Sequence, residues 1–201
     1  SSRTVIFQAF PRTGLPPRFA SYAEYVEAVD VLIASGAVPD ASFLWWDVRL
    51  QPTLGTVEVR VMDSQTTLAE VAPLVALIQS LARLALEQES SPLPSSALVL
   101  AENRFLAARD GMDAHLIDPA ARSLVPVRET LEAVLDECRP HAVALGCAGA
   151  LDRVRGLAAA TGADRQRALA AGAQGLEELV ESLAGRFLAP GRPAATAGRS
   201  T

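Results

Sequence analysis

The segment from Phe43 to Asp63 constrains the fold more than any other part of the chain. It reads as two strands joined by a short turn that contains Pro52 and Gly55. In the second strand Val57, Val59 and Val61 alternate with Thr56, Glu58, Arg60 and Met62. Strand side chains point alternately to opposite faces, so the valines form one apolar face and Glu58 and Arg60 share the other. The first strand ends in a similar pair, Asp47 and Arg49, two residues apart. Carboxylates and guanidiniums fixed side by side on a rigid ribbon can hold a divalent cation and a phosphate next to each other. A cross-strand ion pair on a solvated face uses the same residues and is worth under about 1 kcal/mol. Alternation alone leaves both readings open.

Around this ribbon, Arg3 to Phe10 reads as a strand, followed by a Pro/Gly-rich loop from Pro11 to Arg18. Ser21 and Glu24 have capping-box spacing and open a helix with Tyr22, Val26, Val29 and Ile33 on one stripe, ending near Gly36. Thr67 and Glu70 form a second box, opening a long apolar helix to about Glu89. Pro73 in its second turn predicts a kink or a later start. A Ser/Pro-rich connector spans Ser90 to Ser96, and a helix from Leu98 to Arg109 closes at Gly111. Asp118 to Pro126 reads as loop. Arg128 to about Leu145 reads as an amphipathic helix that buries Leu131, Val134, Leu135, Cys138 and Val143. Leu151 to Ala160 and Asp164 to Leu188 complete the helices, interrupted at Gly162, Gly172 and Gly175.

The order β-α-β-β followed by helices predicts an α+β fold, an antiparallel sheet packed with several C-terminal helices. Three strands make a thin sheet, which predicts that it is part of a larger one. A chain that opens on Ser1 and runs almost directly into a strand-like segment reads as starting internally, with the remaining strands upstream. Residues 189–201, rich in Gly, Pro, Ser and Thr, are expected to be a disordered tail.

Composition narrows the function classes. Half of the 201 residues are hydrophobic and a fifth are charged, enough for a sizeable core. The most apolar stretch, Val71 to Leu86, is broken by Pro73, Gln79 and Arg83, short of the ~18 uninterrupted residues of a membrane span. A soluble, cytoplasmic protein with no membrane partner is expected. A net charge of −5 argues against a nucleic-acid partner, which calls for a basic face. All 18 basic residues are arginine, which excludes a P-loop lysine and a lysine nucleophile. Arginine forks suit phosphate and carboxylate, although a compositional bias explains the set equally well. Cys138 and Cys147, with His115 and His141 isolated, do not make a zinc site; they read as reduced, incidental thiols.

Several segments, taken in order, resemble one family. They are Ser2-Arg3-Thr4, Phe10-Pro11-Arg12-Thr13-Gly14-Leu15-Pro16, Leu44-Trp45-Trp46-Asp47-Val48-Arg49, and Thr56-Val57-Glu58-Val59-Arg60-Val61 with Asp63 and Gln65. Glu102-Asn103-Arg104, Ala108-Arg109-Asp110-Gly111 and Arg165-Gln166-Arg167 follow. The set resembles the C-terminal half of the carboxylate–amine ligases, also called glutamate–cysteine ligase type 2, and the strand pair is similar to that of the glutamine synthetase superfamily. The resemblance implies that residues 1–188 are the C-terminal part of a single glutamine synthetase-like catalytic domain. It also implies ATP-dependent amide formation from amino-acid substrates through an acyl phosphate, with Mg²⁺ or Mn²⁺ as cofactor.

Carried over residue by residue, the resemblance makes Glu58 a metal ligand and Arg49 and Arg60 catalytic, phosphate-stabilising residues. Arg3, Arg49 and Arg60 are then the nucleotide-binding set. Charge-assisted hydrogen bonds of that kind are worth roughly 1.5–3 kcal/mol each. Strand parity puts Trp45 on the side of Asp47 and Arg49, and so toward a pocket, with Trp46 opposite. Asp47 admits two readings, partner of an arginine or solvated charge. Asn103, Arg104 and Arg109 read as packing or capping residues, and the Arg165–Arg167 cluster as either a substrate cover or a helix-start salt network.

The sequence contains no His-x-His or Glu-x-Glu strand motif, and one carboxylate cannot assemble a Mg-ATP site. The chain is therefore expected to need the missing N-terminal half and to be inactive alone. The alternative is a non-catalytic helical interaction or regulatory module descended from the same family. The helix from Thr67 to Glu89 suits either a core or a homodimer face.

Overall fold

A computed structural model describes residues 2–88 and 96–187. Of the expected connector only Ser96 is described, and the expected tail, residues 189–201, lies outside the described residues. The chain divides into two compact units, Ser1–Asp63 with Pro94–Leu124, and Ser64–Leu93 with Val125–Thr201.

The first unit holds α1 (Ser2–Phe7), β1 (Thr13–Gly14), α2 (Tyr22–Ala34), β2 (Trp45–Trp46), β3 (Val48–Gln51), β4 (Thr56–Val59), α4 (Ala97–Asp110) and β5 (His115–Asp118). In the second lie α3 (Leu68–Glu87), α5 (Val127–Ala144), α6 (Ala148–Asp152), α7 (Val154–Ala159), α8 (Gly162–Ala170) and α9 (Leu176–Arg186). β6 (Ser123–Pro126) pairs with β5 and leads directly into α5. The fold is α+β, as its strand and helix patterns predict, with helices around small two-stranded sheets.

β3 and β4 form the expected antiparallel ribbon, in the register Val48 to Val59, Arg49 to Glu58, Leu50 to Val57 and Gln51 to Thr56. β1 and β2 pair in parallel, Thr13 beside Trp45 and Gly14 beside Trp46. Two local expectations fail. The segment from Arg3 to Phe10 is a helix for its first part, not a strand: Arg3 and Phe7 are four apart and stack, with the guanidinium 5.1 Å from the ring centroid. That contact needs helical spacing, and it outweighs the β-propensity of Thr4, Val5 and Ile6. Asp118 to Pro126 is not all loop either. His115–Asp118 and Ser123–Pro126 pair around a turn in which Asp118 Oδ1 accepts the backbone N–H groups of Ala120 and Ala121. Strands therefore do not stop after the first third of the chain.

The helix signals are followed closely. Ser21 Oγ accepts from Glu24 N–H at 3.1 Å and Glu24 accepts from Ala20 N–H, so the box closes one residue early. α2 stops at Gly36, whose φ of +75° suits a residue without a Cβ. There Ala37 N–H bonds back to Leu32 C=O and Gly36 N–H to Ile33 C=O, the two bonds of a Schellman end. Glu70 accepts from Thr67 N–H at 3.1 Å, and α3 starts at Leu68 with Pro73 buried inside it, so the later start does not occur.

The core of the first unit is Tyr25, Val29 and Leu44, with Phe19, Trp46 and Leu50 packed against them. Tyr22 is 64% exposed and stacks on Tyr25 from outside. In the second unit α3 and α5 meet through small residues, Ala76 and Ser80 on one helix and Cys138 and Ala142 on the other. Leu135, Leu151 and Val154 complete that core. Val143, expected inside, is exposed, because the buried stripe runs 135, 138, 142 and Val143 is one residue, about 100°, beyond it. α3 is long and apolar enough to cross a membrane by length and composition alone.

Candidate functional site

The site is assembled at the break between β2 and β3, where one residue, Asp47, interrupts two strands. Its N–H donates to Gly14 C=O and its C=O accepts from Arg60 N–H, both at 2.7 Å. The junction therefore ties together β1, the β3–β4 ribbon and, through its side chain, α4. Arg104 on α4 pairs with that carboxylate, Nε to Oδ2 at 3.0 Å and NH2 to Oδ1 at 3.2 Å. Only 11% of the Arg104 side chain and 15% of Asp47 are exposed. Asp47 is thus the partner of an arginine, and Arg104 meets the ribbon at the break between β2 and β3.

Glu58 is the hub of the ribbon's polar face. Arg49, directly opposite in the register, donates through Nε to Oε2 at 2.9 Å, and its NH2 lies 2.9 Å from the same oxygen. Gln51 Nε2 donates to Oε2 as well, and Arg60 NH1 donates to Oε1 at 2.9 Å. Burial pushes the Glu58 carboxyl upward, but hydrogen bonds from Gln51 and Arg49 and the charges of Arg49 and Arg60 outweigh it. The net result is a pKa below the usual glutamate value.

The four residues singled out from the sequence occupy different positions. Arg49 is a staple: besides Glu58 it donates through NH1 to Ser42 C=O at 2.6 Å and Leu44 C=O at 3.0 Å, and its side chain is only 10% exposed. Arg60 is bound on one side only by Glu58 and lines a recess with Arg3, Thr4, Thr13, Trp45, Asp47 and Arg104. Arg3 donates through NH2 to Arg60 C=O at 3.1 Å and through NH1 to the carbonyls of Val61 and Met62. Three guanidiniums against one carboxylate leave this lining net positive. Its free volume, about 10 Å³, is about that of one water molecule, room for a single ligand oxygen and not for a nucleotide.

Trp45 faces the recess and carries the Arg12 guanidinium 5.7 Å from its ring, while Trp46 sits in the core with Phe19; strand parity gave both. Arg165 pairs with Glu70 and Arg167 with Asp164, which makes that cluster a salt network at a helix start. Asn103 clamps β5 with two bonds, donating to Ile117 C=O and accepting Ile117 N–H. Gln51 was not legible as a site residue, although its parity with Arg49 puts it on the Glu58 face.

Mg²⁺ and Mn²⁺, the ions the resemblance implies, fit these residues poorly. Both Glu58 oxygens already accept from cationic or amide donors, and two guanidiniums stand where a divalent ion would approach. Among the described residues no three His, Cys, Asp or Glu side chains gather as ligands. A hard divalent ion asks for six or so oxygens, so this part of the molecule does not by itself build a cation centre.

Comparison with known proteins places this site in context. The family model described as glutamate-cysteine ligase family 2 matches residues 1–184. A Rubrobacter xylanophilus protein named "Putative glutamate--cysteine ligase 2-1" is 43% identical over 172 residues, 83% of this chain and 45% of that protein. A Thermobifida fusca protein named "Putative glutamate--cysteine ligase 2" is 39% identical over 198 residues, 96% of this chain and 49% of that protein. The chain spans about half the length of the curated relatives it matches. With a matching model over nearly all its length and relatives well above a third identical, the chain belongs to glutamate–cysteine ligase family 2.

Proposed function

We propose that this chain is the part of a glutamate–cysteine ligase-like enzyme that neutralises anionic oxygens during ATP-dependent amide formation. The observation that carries the reading is the recess where Arg3, Arg60 and Arg104 converge on Asp47, with Glu58 holding Arg60 from behind. Phosphoryl transfer asks a protein mainly for positioning and charge neutralisation, and a rigid net-positive lining answers both needs. In this reading the substrate carboxylate attacks the γ-phosphorus of ATP and ADP departs. The amine of a second amino acid then displaces phosphate from the acyl phosphate and loses a proton.

Arg60 is the residue that touches the reacting oxygens. Arg3 contributes charge at the rim while holding the Arg60 carbonyl. Arg49 acts through Glu58: by fixing that carboxylate from across the ribbon, it fixes the Arg60 NH1 that Glu58 holds. Mg²⁺ or Mn²⁺ accompanies ATP in the proposal, its ligands supplied chiefly from outside these residues. The substrates are small amino acids, the enzyme is cytoplasmic, and the chain is inactive without the half its relatives carry in addition.

A second reading, a helical interaction module without catalysis, draws on α9, where Leu176 and Val180 are 80% and 62% exposed on one stripe. One assay separates the two. ADP formation from Mg-ATP is followed over a panel of amino acids, with this chain alone and with the chain extended by the remaining half of a relative. The ligase reading expects turnover dependent on amino acids in the extended chain only. Absence of any such turnover in the extended chain favours the interaction module.

A further inference from the structure

We propose that Arg104 is a positioning residue for Arg60, acting through Asp47; this rests on the anion-binding reading of the recess. Arg60 lies one residue past the end of β4, where a single bond to Asp47 continues the ribbon's register beyond Val48 and Val59. Both of its peptide groups are anchored. Its N–H donates to Asp47 C=O at 2.7 Å, and its C=O accepts from Arg3 NH2 at 3.1 Å. The first anchor is only as firm as Asp47, a single residue between two short strands. Asp47 is held by its own N–H on Gly14 and by the two contacts of its carboxylate to Arg104.

Arg104 also has little room to move. A Cβ at Gly14, whose φ is +86°, would meet Arg104 NH1 at 3.2 Å, so the guanidinium packs against the same backbone turn that Asp47 bonds. The chain of contacts runs from α4 through Arg104, the Asp47 carboxylate and the Asp47 carbonyl to the Arg60 amide. Arg60 then needs no ordering when a ligand arrives, and preorganisation of that kind raises affinity by removing an entropic cost. The Arg104–Asp47 pair is shielded, so water does not screen it as it would an exposed pair.

The test is amide hydrogen exchange by NMR on the 201-residue chain, read at Arg60 and, as a control, at Val29 in α2. Arg104→Met is expected to speed exchange at Arg60 by about tenfold, the loss of one charge-assisted hydrogen bond, with Val29 unchanged. Asp47→Asn, which keeps the shape and the carbonyl, moves Arg60 in the same direction by less. It decides the matter alone if Arg104→Met does not fold. Unchanged exchange at Arg60, or equal acceleration at Val29, overturns the proposal. Titration with inorganic triphosphate, read at the Arg60 Nε–H resonance, addresses the underlying reading separately. A resonance that does not move in the natural chain counts against the anion site and leaves the exchange result to judge the positioning role of Arg104.

Discussion

Arg49 and Glu58 face each other across the β3–β4 ribbon, two guanidinium nitrogens each 2.9 Å from one carboxylate oxygen. Replacing Arg49 with alanine removes those contacts and two more to the carbonyls of Ser42 and Leu44. Hydrogen bonds to charged groups contribute about 1.5–3 kcal/mol, and Glu58 is partly solvated, so a loss of about 2 kcal/mol is expected. Urea unfolding monitored by tryptophan fluorescence reads it, since Trp45 and Trp46 both lie in this unit.

Glu58 ties stability to pH. Its pKa in the folded chain lies below the unfolded value of about 4.3, so its stabilising contribution is complete above that value. It is lost as pH falls through the lower folded value. Glu58→Gln should therefore be less stable than the natural chain at neutral pH and flatten, without abolishing, the acid limb. Asp40, Asp110 and Asp164 are depressed as well, chiefly by hydrogen bonds from Ser42, Arg109 and Thr161, and keep part of the slope. Unfolding midpoints from neutral to strongly acidic pH make the comparison.

Gly14→Ala places a methyl group at a φ of +86° and 3.2 Å from Arg104 NH1. The left-handed backbone alone costs about 1–2 kcal/mol, and a guanidinium already held by Asp47 cannot simply swing aside. A fall in denaturation midpoint is expected, larger than that of Gly55→Ala, where φ is also positive but nothing lies within 4 Å.

Cys138 is fully buried and its thiol is pushed up by burial and by the charge of Glu137, so it stays protonated and shielded. Under native conditions a thiol reagent should modify Cys147 first and reach Cys138 only on unfolding. Counting modified thiols with and without urea checks this.

The sequence made the ribbon legible because alternation is a period-two signal that tertiary context had no reason to override: Glu58 and Arg60 share a face, and Trp45 and Trp46 divide between recess and core. Capping boxes and glycine stops located helix ends for the same reason, since the signal and the structure are both local. What eluded it was non-local. The strand-like run after Arg3 is helical where Arg3 reaches the carbonyls of Arg60, Val61 and Met62, distant contacts invisible to propensity. Arg104 read as a packing residue because its partner, Asp47, is 57 positions away. The difference between Arg49, saturated by its neighbours, and Arg60, open to the recess, depends on the 3₁₀ turn at Ala41–Phe43 presenting its carbonyls. No spacing rule encodes that.

The most direct measurement of the central claim follows oxygen. Glutamate labelled with oxygen-18 in its carboxylates is incubated with Mg-ATP, cysteine and the chain extended by the half its relatives carry in addition, and the released phosphate is analysed by mass. If a carboxylate oxygen attacks phosphorus at the arginine-lined recess, each phosphate carries one labelled oxygen, and Arg60→Lys slows its release by at least about tenfold, the cost of about 1.4 kcal/mol of lost transition-state stabilisation. Unlabelled phosphate, or undiminished release from the Arg60 variant, would contradict the account.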